Sequence, residues 1–477
     1  MSDTSALQLM MASVIVVVIG FHFMLKIRHR GTISVLDVAI WMGAVYFGLG
    51  PWVAFTAAGG KLPYVKEDIV VSGYIAIYLY FLALIAVERI TQARIHSVQA
   101  DGTPELLGRM TVMIRDAGRT TTGPILLCYG IVLVLRTILA LQYGILFSSS
   151  GFENVANLPY GLVIIRLMSE VLSAGCLTWA CAAFWLRDPR RRMAILIIVI
   201  ECLYNFMQGR RAILSCFILL AITYAAVVPK IRFRAVVMSG VGVALLWFVV
   251  LPAFFGIRAK VLWGIPKSGN IVVDILNGTT AYYNDNTDVA DASYRRNLST
   301  RPLIAGFVFN LLELQDQGAP KMMGDAIGAG IVAATPRVLL FGEKWIYDSE
   351  LYVLLHYHPY GMALDDTDSS WVAEPVADFG VIGGLVGGLI LGSILAIGER
   401  VAWTLGRNRP WVALFIVGSM VSIAFQVEQN LEVTWSIARN CIILIIVAVL
   451  VTRADPALEL RADELPPEDP SLDPLSV

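Results

Sequence analysis

The chain has 477 residues, 57% of them hydrophobic and only 15% charged, with a net charge of −1 and a mean hydropathy of +0.70. Soluble domains carry about 25% charged residues, so this composition excludes a cytosolic enzyme, a disulfide-stapled secreted module and a disordered scaffold. The near-neutral balance offers no basic field for nucleic acid. The six cysteines (Cys128, Cys176, Cys181, Cys202, Cys216, Cys441) all fall inside apolar runs and read as small core hydrophobes.

A membrane crossing needs about 20 predominantly apolar residues. In chain order, eleven runs approach that rule: 7–25, 32–58, 69–88, 124–146, 160–186, 193–207, 212–228, 235–256, 376–397, 410–427 and 433–451. The expected fold is an all-α polytopic membrane protein. The first run lacks a basic flank before it and has one after it, the reverse of a cleavable signal. One set of short loops holds twenty Lys and Arg residues, from Lys26, Arg28 and Arg30 through Arg190–Arg192 and Lys230–Arg234 to Arg461. The other set holds four: Lys61, Lys66, Arg210 and Arg211. That bias places the amino terminus outside and the carboxyl terminus in the cytoplasm.

The expected division is helices 1–8 over 1–256, an outer loop of 119 residues over 257–375, helices 9–11 over 376–452 and a tail over 453–477. The tail carries five prolines and seven acidic residues, the composition of disorder. Within the loop, the apolar stretches 301–315, 326–341 and 349–362 predict short helices on the membrane rim.

Three features break the rules for a plain membrane bundle. Gln208–Gly209–Arg210–Arg211 joins two spans at the outer surface, against the charge bias. The arginines either snorkel to headgroups or form an anion site, where guanidinium forks match the oxygens of a polyprenyl diphosphate. Charges also occur inside spans: Arg136, Arg166, Glu170, Glu201 and Arg439. Each needs a partner or a wet cavity, and pairing of Arg166 with Glu170 is the plain structural account. Finally, the loop has 14 acidic and nine basic residues and gathers aromatics and hydroxyls around His356, His358, Asp365–Ser370 and Trp371. Carboxylates beside aromatic faces suit sugars. Asp366 and Asp368 have D-x-D spacing, for which a solvated acidic turn is the simpler reading than a metal site. His356 and His358 fit no zinc motif, and one of them is a candidate general base. No nucleotide-binding or hydrolase motif appears.

The turn Gln208–Arg211, the segment Ala334-Thr335-Pro336-Arg337, and the run Asp368–Gly380 leading into Gly383 and Gly384 together resemble the oligosaccharide repeat-unit polymerases (Wzy type) and the related O-antigen ligases. The chain departs from some members in lacking two well-formed copies of their arginine-rich loop motif. The resemblance implies a GT-C-like membrane glycosyltransferase of the bacterial cytoplasmic (inner) membrane. Its implied substrates are undecaprenyl-diphosphate-linked oligosaccharides, as donor and as acceptor. It implies Arg210 and Arg211 at the leaving diphosphate, with His356, Glu374 or Asp378 orienting or deprotonating the acceptor hydroxyl. Arg258, Arg301 and Arg337, with Asp368, Trp371 and Arg136, are the further candidate substrate contacts. Guanidinium stays protonated, so neither metal nor cofactor is expected. A chain-length regulator and a flippase are the expected protein partners. The alternatives are an O-antigen ligase and a transporter or flippase of lipid-linked sugars. The latter predicts inverted repeats, and no internal repeat is seen.

Overall fold

The computed structural model describes residues 3–28, 34–98, 122–143, 160–186, 188–208, 304–335, 348–362, 370–406, 409–425 and 430–451, with isolated positions between 216 and 224 and at 340, 346 and 427. Among these residues the structure is helical throughout, without a strand. The expected spans 212–228 (apart from those isolated positions) and 235–256, the loop before residue 304 and the tail lie outside them.

Among the described residues, four segments are long and apolar enough to cross a membrane: Thr4–Lys26, Val35–Ala57, Glu67–Thr91 and Ala373–Ala402. Helix α1 (Asp3–Arg28) is apolar on all sides, and its Val17, Val18, Phe21 and Met24 are exposed. Leu82, Leu127, Val134, Leu196, Leu203, Ile397, Ile442 and Ile446 on other helices are exposed as well. A soluble surface rarely gathers such side chains; a lipid-facing one requires them.

The second segment comprises α2 (Val35–Gly43), a π-helical stretch (Ala44–Leu49) and α3 (Gly50–Ala57). Pro51 lacks an N–H, and widening the preceding turn to π spacing keeps the helix continuous past it. Ser34 and Asp37 form a capping box at the start of α2. Helix α4 (Glu67–Val98) follows, then α5 (Thr122–Tyr143), α6 (Tyr160–Trp185) and α7 (Arg191–Gln208). Short helices α8 (Ala305–Asp316), α9 (Asp325–Ala334), α10 (Ser349–Tyr357) and α11 (Ala373–Phe379) occupy the end of the loop. The chain finishes with α12 (Gly383–Gly406), α13 (Pro410–Phe425) and α14 (Leu431–Val451).

Helix α12 is the axis of the bundle, and glycine makes it so. A Cβ on Gly384 or Gly388 would collide with the carbonyls of Ala76 and Tyr80 on α4, and one on Gly392 would crowd Val87. These glycines recur every four residues on one face, which lets two backbones approach closely in lipid. A second ridge, Gly383 and Gly387, abuts Pro375 and the Trp371 carbonyl.

That second ridge corrects the extent of a predicted span. Residues 376–397 read as one crossing helix, yet Gly383 lies against Pro375, and Gly387 against Trp371 four residues further back. Helix α11 therefore runs antiparallel to the first turns of α12, as a short returning arm. The reversal is made at Gly380, whose φ of +64 and ψ of −143 suit only glycine. The long helix begins at Gly383, and its 24 residues span about 36 Å, enough to cross a membrane.

Replacing Gly384 or Gly388 by Leu forces side-chain atoms into α4 backbone, an overpacking penalty of at least about 1–3 kcal/mol. The expected outcome is a lower thermal midpoint and loss of monodisperse protein in detergent. Gly20→Leu, at a position with nothing within 4 Å, should leave both unchanged.

Candidate functional site

Helices α8–α11 gather at one end of α4 and α12. Phe309 of α8 fills the space over Gly73 of α4, and Lys66 reaches Glu313 at 3.7 Å. Because α11 is short and turns sharply, its last carbonyls need partners from elsewhere. Gln315 Nε2 donates to Val376 O (3.0 Å) and the Tyr357 hydroxyl donates to Ala377 O (2.9 Å). The Met322 and Met323 amides donate to Ala377 O and Asp378 O (3.1 and 3.2 Å). Met323 adopts a left-handed φ of 55 in making that turn. Burial lifts the Tyr357 phenol above its ordinary pKa, which keeps it a donor.

Both carboxylates of α11 are fully buried and bind helix starts. Asp378 accepts from Ala326 N (2.9 Å, Oδ1) and Ile327 N (3.0 Å, Oδ2), capping α9 from another element. Glu374 accepts from the Ser349 hydroxyl (3.0 Å) and from Leu431 N (3.0 Å), tying the starts of α10 and α14 together. At the other end of α9, Arg439 donates to the Ala334 carbonyl. Helix α9 thus has an anion at its amino end and a cation at its carboxyl end, as its dipole favours.

The expected site residues occupy different surroundings. Trp371, expected to offer a ring to sugar, is fully buried with its carbonyl against Gly387. Glu374 and Asp378 lie within the helix-capping network just described. His356 is half-buried, with Nε2 3.1 Å from Pro320 O. A carbonyl only accepts, so in the neutral ring Nε2 carries the proton and Nδ1 keeps the lone pair, the tautomer a base needs. Arg210, Arg211, Arg258, Arg301, Arg337 and Asp368 lie outside the described residues.

Arg136 belongs to a polar group inside the bundle. Its Nη1 donates to Glu201 Oε1 at 2.5 Å, and its guanidinium stacks 3.8 Å from the centroid of Tyr204. Ser173 completes Glu201 from α6 at 2.6 Å, and Asn205 adds a weaker bond at 3.3 Å. Arg166 and Glu170 form an ion pair at 3.6 Å. On α6, residues 166, 170 and 173 share one face, as do 201 and 205 on α7.

Gln315 and Ser349, which hold this region together, escaped sequence reasoning, and Tyr357 stood out in the sequence only as one of the loop's aromatics. Their types are common at helix ends, and their partners are 20 to 62 residues away. Among the described residues, the group of three with metal-ligand atoms close together, His22, Asp37 and Glu88, lies at the opposite end of α4.

Asp378→Ala removes the acceptors at the start of α9 and should lower stability by about 1–2 kcal/mol, read as a fall in thermal midpoint and faster proteolysis between α8 and α10. Glu201→Gln leaves Arg136 without its counter-charge in the bundle, a loss of about 3–5 kcal/mol. Arg136→Met in the same chain should restore much of it, measured by chemical denaturation in micelles.

No protein-family model, curated protein or solved structure matches this chain.

Proposed function

We propose that the chain is a polytopic membrane glycosyltransferase of about eleven spans. In this reading it joins polyprenyl-diphosphate-linked oligosaccharide repeat units on the outer face of the bacterial cytoplasmic membrane. The observation that carries the reading is the assembly of short helices α8–α10 around the returning arm α11 at one end of the bundle. A fixed platform of this kind at the membrane rim serves chemistry on a lipid headgroup better than passage of a substrate through the bundle.

In this mechanism Arg210 and Arg211 bind the diphosphate of the donor lipid. As the anomeric C–O bond breaks, electrons pass to the leaving diphosphate oxygen, and the two guanidinium groups stabilise the developing charge. The acceptor hydroxyl attacks the anomeric carbon and gives up its proton to a base. His356 suits that task best of the three candidates, because its lone-pair nitrogen is not consumed by the Pro320 contact. The oxygens of Glu374 and Asp378 already accept hydrogen bonds from the fold. Those two carboxylates act as positioning residues, holding α9, α10 and α14 around the reacting end.

Arg210→Ala and Arg211→Ala should reduce the product to single repeat units at unchanged protein level. His356→Ala should slow extension by about 10²–10⁴-fold, with a smaller effect from His358→Ala. The assay is purified protein in vesicles with lipid-linked repeat units, read as a glycan ladder on gels. Undiminished ladders in both arginine variants would overturn the assignment. Movement of lipid-linked units across the vesicle without chain growth would support the flippase reading instead.

A further inference from the structure

The thiols inside the bundle are of two kinds. Cys176 donates to the Ile125 carbonyl at 3.6 Å, Cys181 bonds the Thr223 hydroxyl, and Cys441 bonds the Ser419 hydroxyl. Each of these three is held by an oxygen of the fold. Cys202 of α7 and Cys216 differ, because their sulfurs hydrogen-bond each other. Two thiols in mutual contact are the reactants of a disulfide, and the proposed transfer reaction uses neither.

The packing on both sides of the pair fixes this contact. Among the helical positions described between 216 and 224, Cys216, Leu219 and Thr223 are buried, whereas Phe217 is exposed. Spacings of three and four residues put the buried three on one face. That segment is anchored to α6: Trp185 Nε1 donates to the Leu220 carbonyl at 2.9 Å, and the Trp185 and Tyr224 rings meet edge to face with centroids 4.7 Å apart. The bond from Cys181 to Thr223 joins the same two elements. On α7, Cys202 is partly exposed and its chain neighbour Leu203 is 60% exposed. The pair therefore has one enclosed sulfur, Cys216, and one that a reagent can reach, Cys202.

We propose that Cys202 and Cys216 are a redox-active dithiol that closes to a disulfide, with an organic disulfide as the oxidant. The Cys202 thiolate attacks one sulfur of the oxidant, which forms a mixed disulfide and releases the other half as a thiol carrying the Cys202 proton. Cys216 then attacks the Cys202 sulfur, the new Sγ–Sγ bond forms, and the second half leaves as a thiol carrying the Cys216 proton. Two cysteine thiols are oxidised and one disulfide is reduced to two thiols. From hydrogen-bond contact, side-chain rotation brings the sulfurs to the bonded separation of about 2.05 Å. The bond closes a ring over residues 202–216, which contains Gln208–Arg211. It ties α7 to the segment that follows the turn, and so restrains the chain on both sides of the two arginines. This inference is independent of the polymerase reading, since the thiol chemistry needs no glycan.

The full chain in detergent, reduced and freed of reductant, is treated with dipyridyl disulfide. Peptide mass spectrometry of the wild type should find the Cys202 and Cys216 peptides joined and two hydrogens lighter. Cys128→Ala leaves Cys202 as the one partly exposed thiol, and in that background two thiopyridone molecules should be released per chain with no pyridyl group retained. Adding Cys216→Ala should halve the release and leave the pyridyl group on Cys202. The joined form should have a raised thermal midpoint that dithiothreitol returns to its starting value, a shift absent without Cys216. The proposal is overturned if the folded chain with both cysteines keeps the pyridyl adduct, leaves Cys202 unreacted, or joins Cys202 to Cys181 or to a second chain. A joined chain whose midpoint does not move would count against it equally.

Discussion

Helix ends are the hardest part of a structure to hold in or against lipid, because four N–H and four C=O groups at each have no partner within the helix. This chain places several short helix ends at one rim of its bundle, and long-range hydrogen bonds satisfy them. The last carbonyls of α11 receive Gln315, Tyr357 and the backbone of Met322 and Met323. The starts of α9, α10 and α14 are held by the carboxylates of the same helix. Helix α11 is therefore the junction on which the whole rim depends.

That junction exists only because glycine permits two close approaches on one helix. The ridge of Gly384, Gly388 and Gly392 seats α12 against α4, and the ridge of Gly383 and Gly387 admits the returning arm. Gly380 turns the chain between them with a φ of +64. A bulkier residue at any of these places would push apart elements that these hydrogen bonds join.

The polar chemistry of the molecule is divided along its length. At one end lie the capping carboxylates and His356; at the other are Lys26, Asp37, Glu88 and Glu399. Between them, Arg136 and Glu201 neutralise each other with help from Ser173 and Tyr204. The pairing of Arg136 means that its charge is committed to the bundle. A headgroup would have to compete with Glu201 for it.

Much of the plan was legible before any coordinates. Composition and run length determined the membrane-compatible helices, since apolar side chains that coat α1 or α7 leave no other solvent that fits. The charged residues inside spans were equally visible as groups in need of partners, and the pairing of Arg166 with Glu170 follows from their spacing of four. Tertiary structure alone decided the rest. It joined Arg136 to Glu201 across 65 positions and Asp378 to Ala326 across 52, and it folded 371–379 back instead of extending α12. Local sequence encodes period and hydropathy, but a hydrogen-bond partner is chosen by which helices meet, and that choice is made by packing.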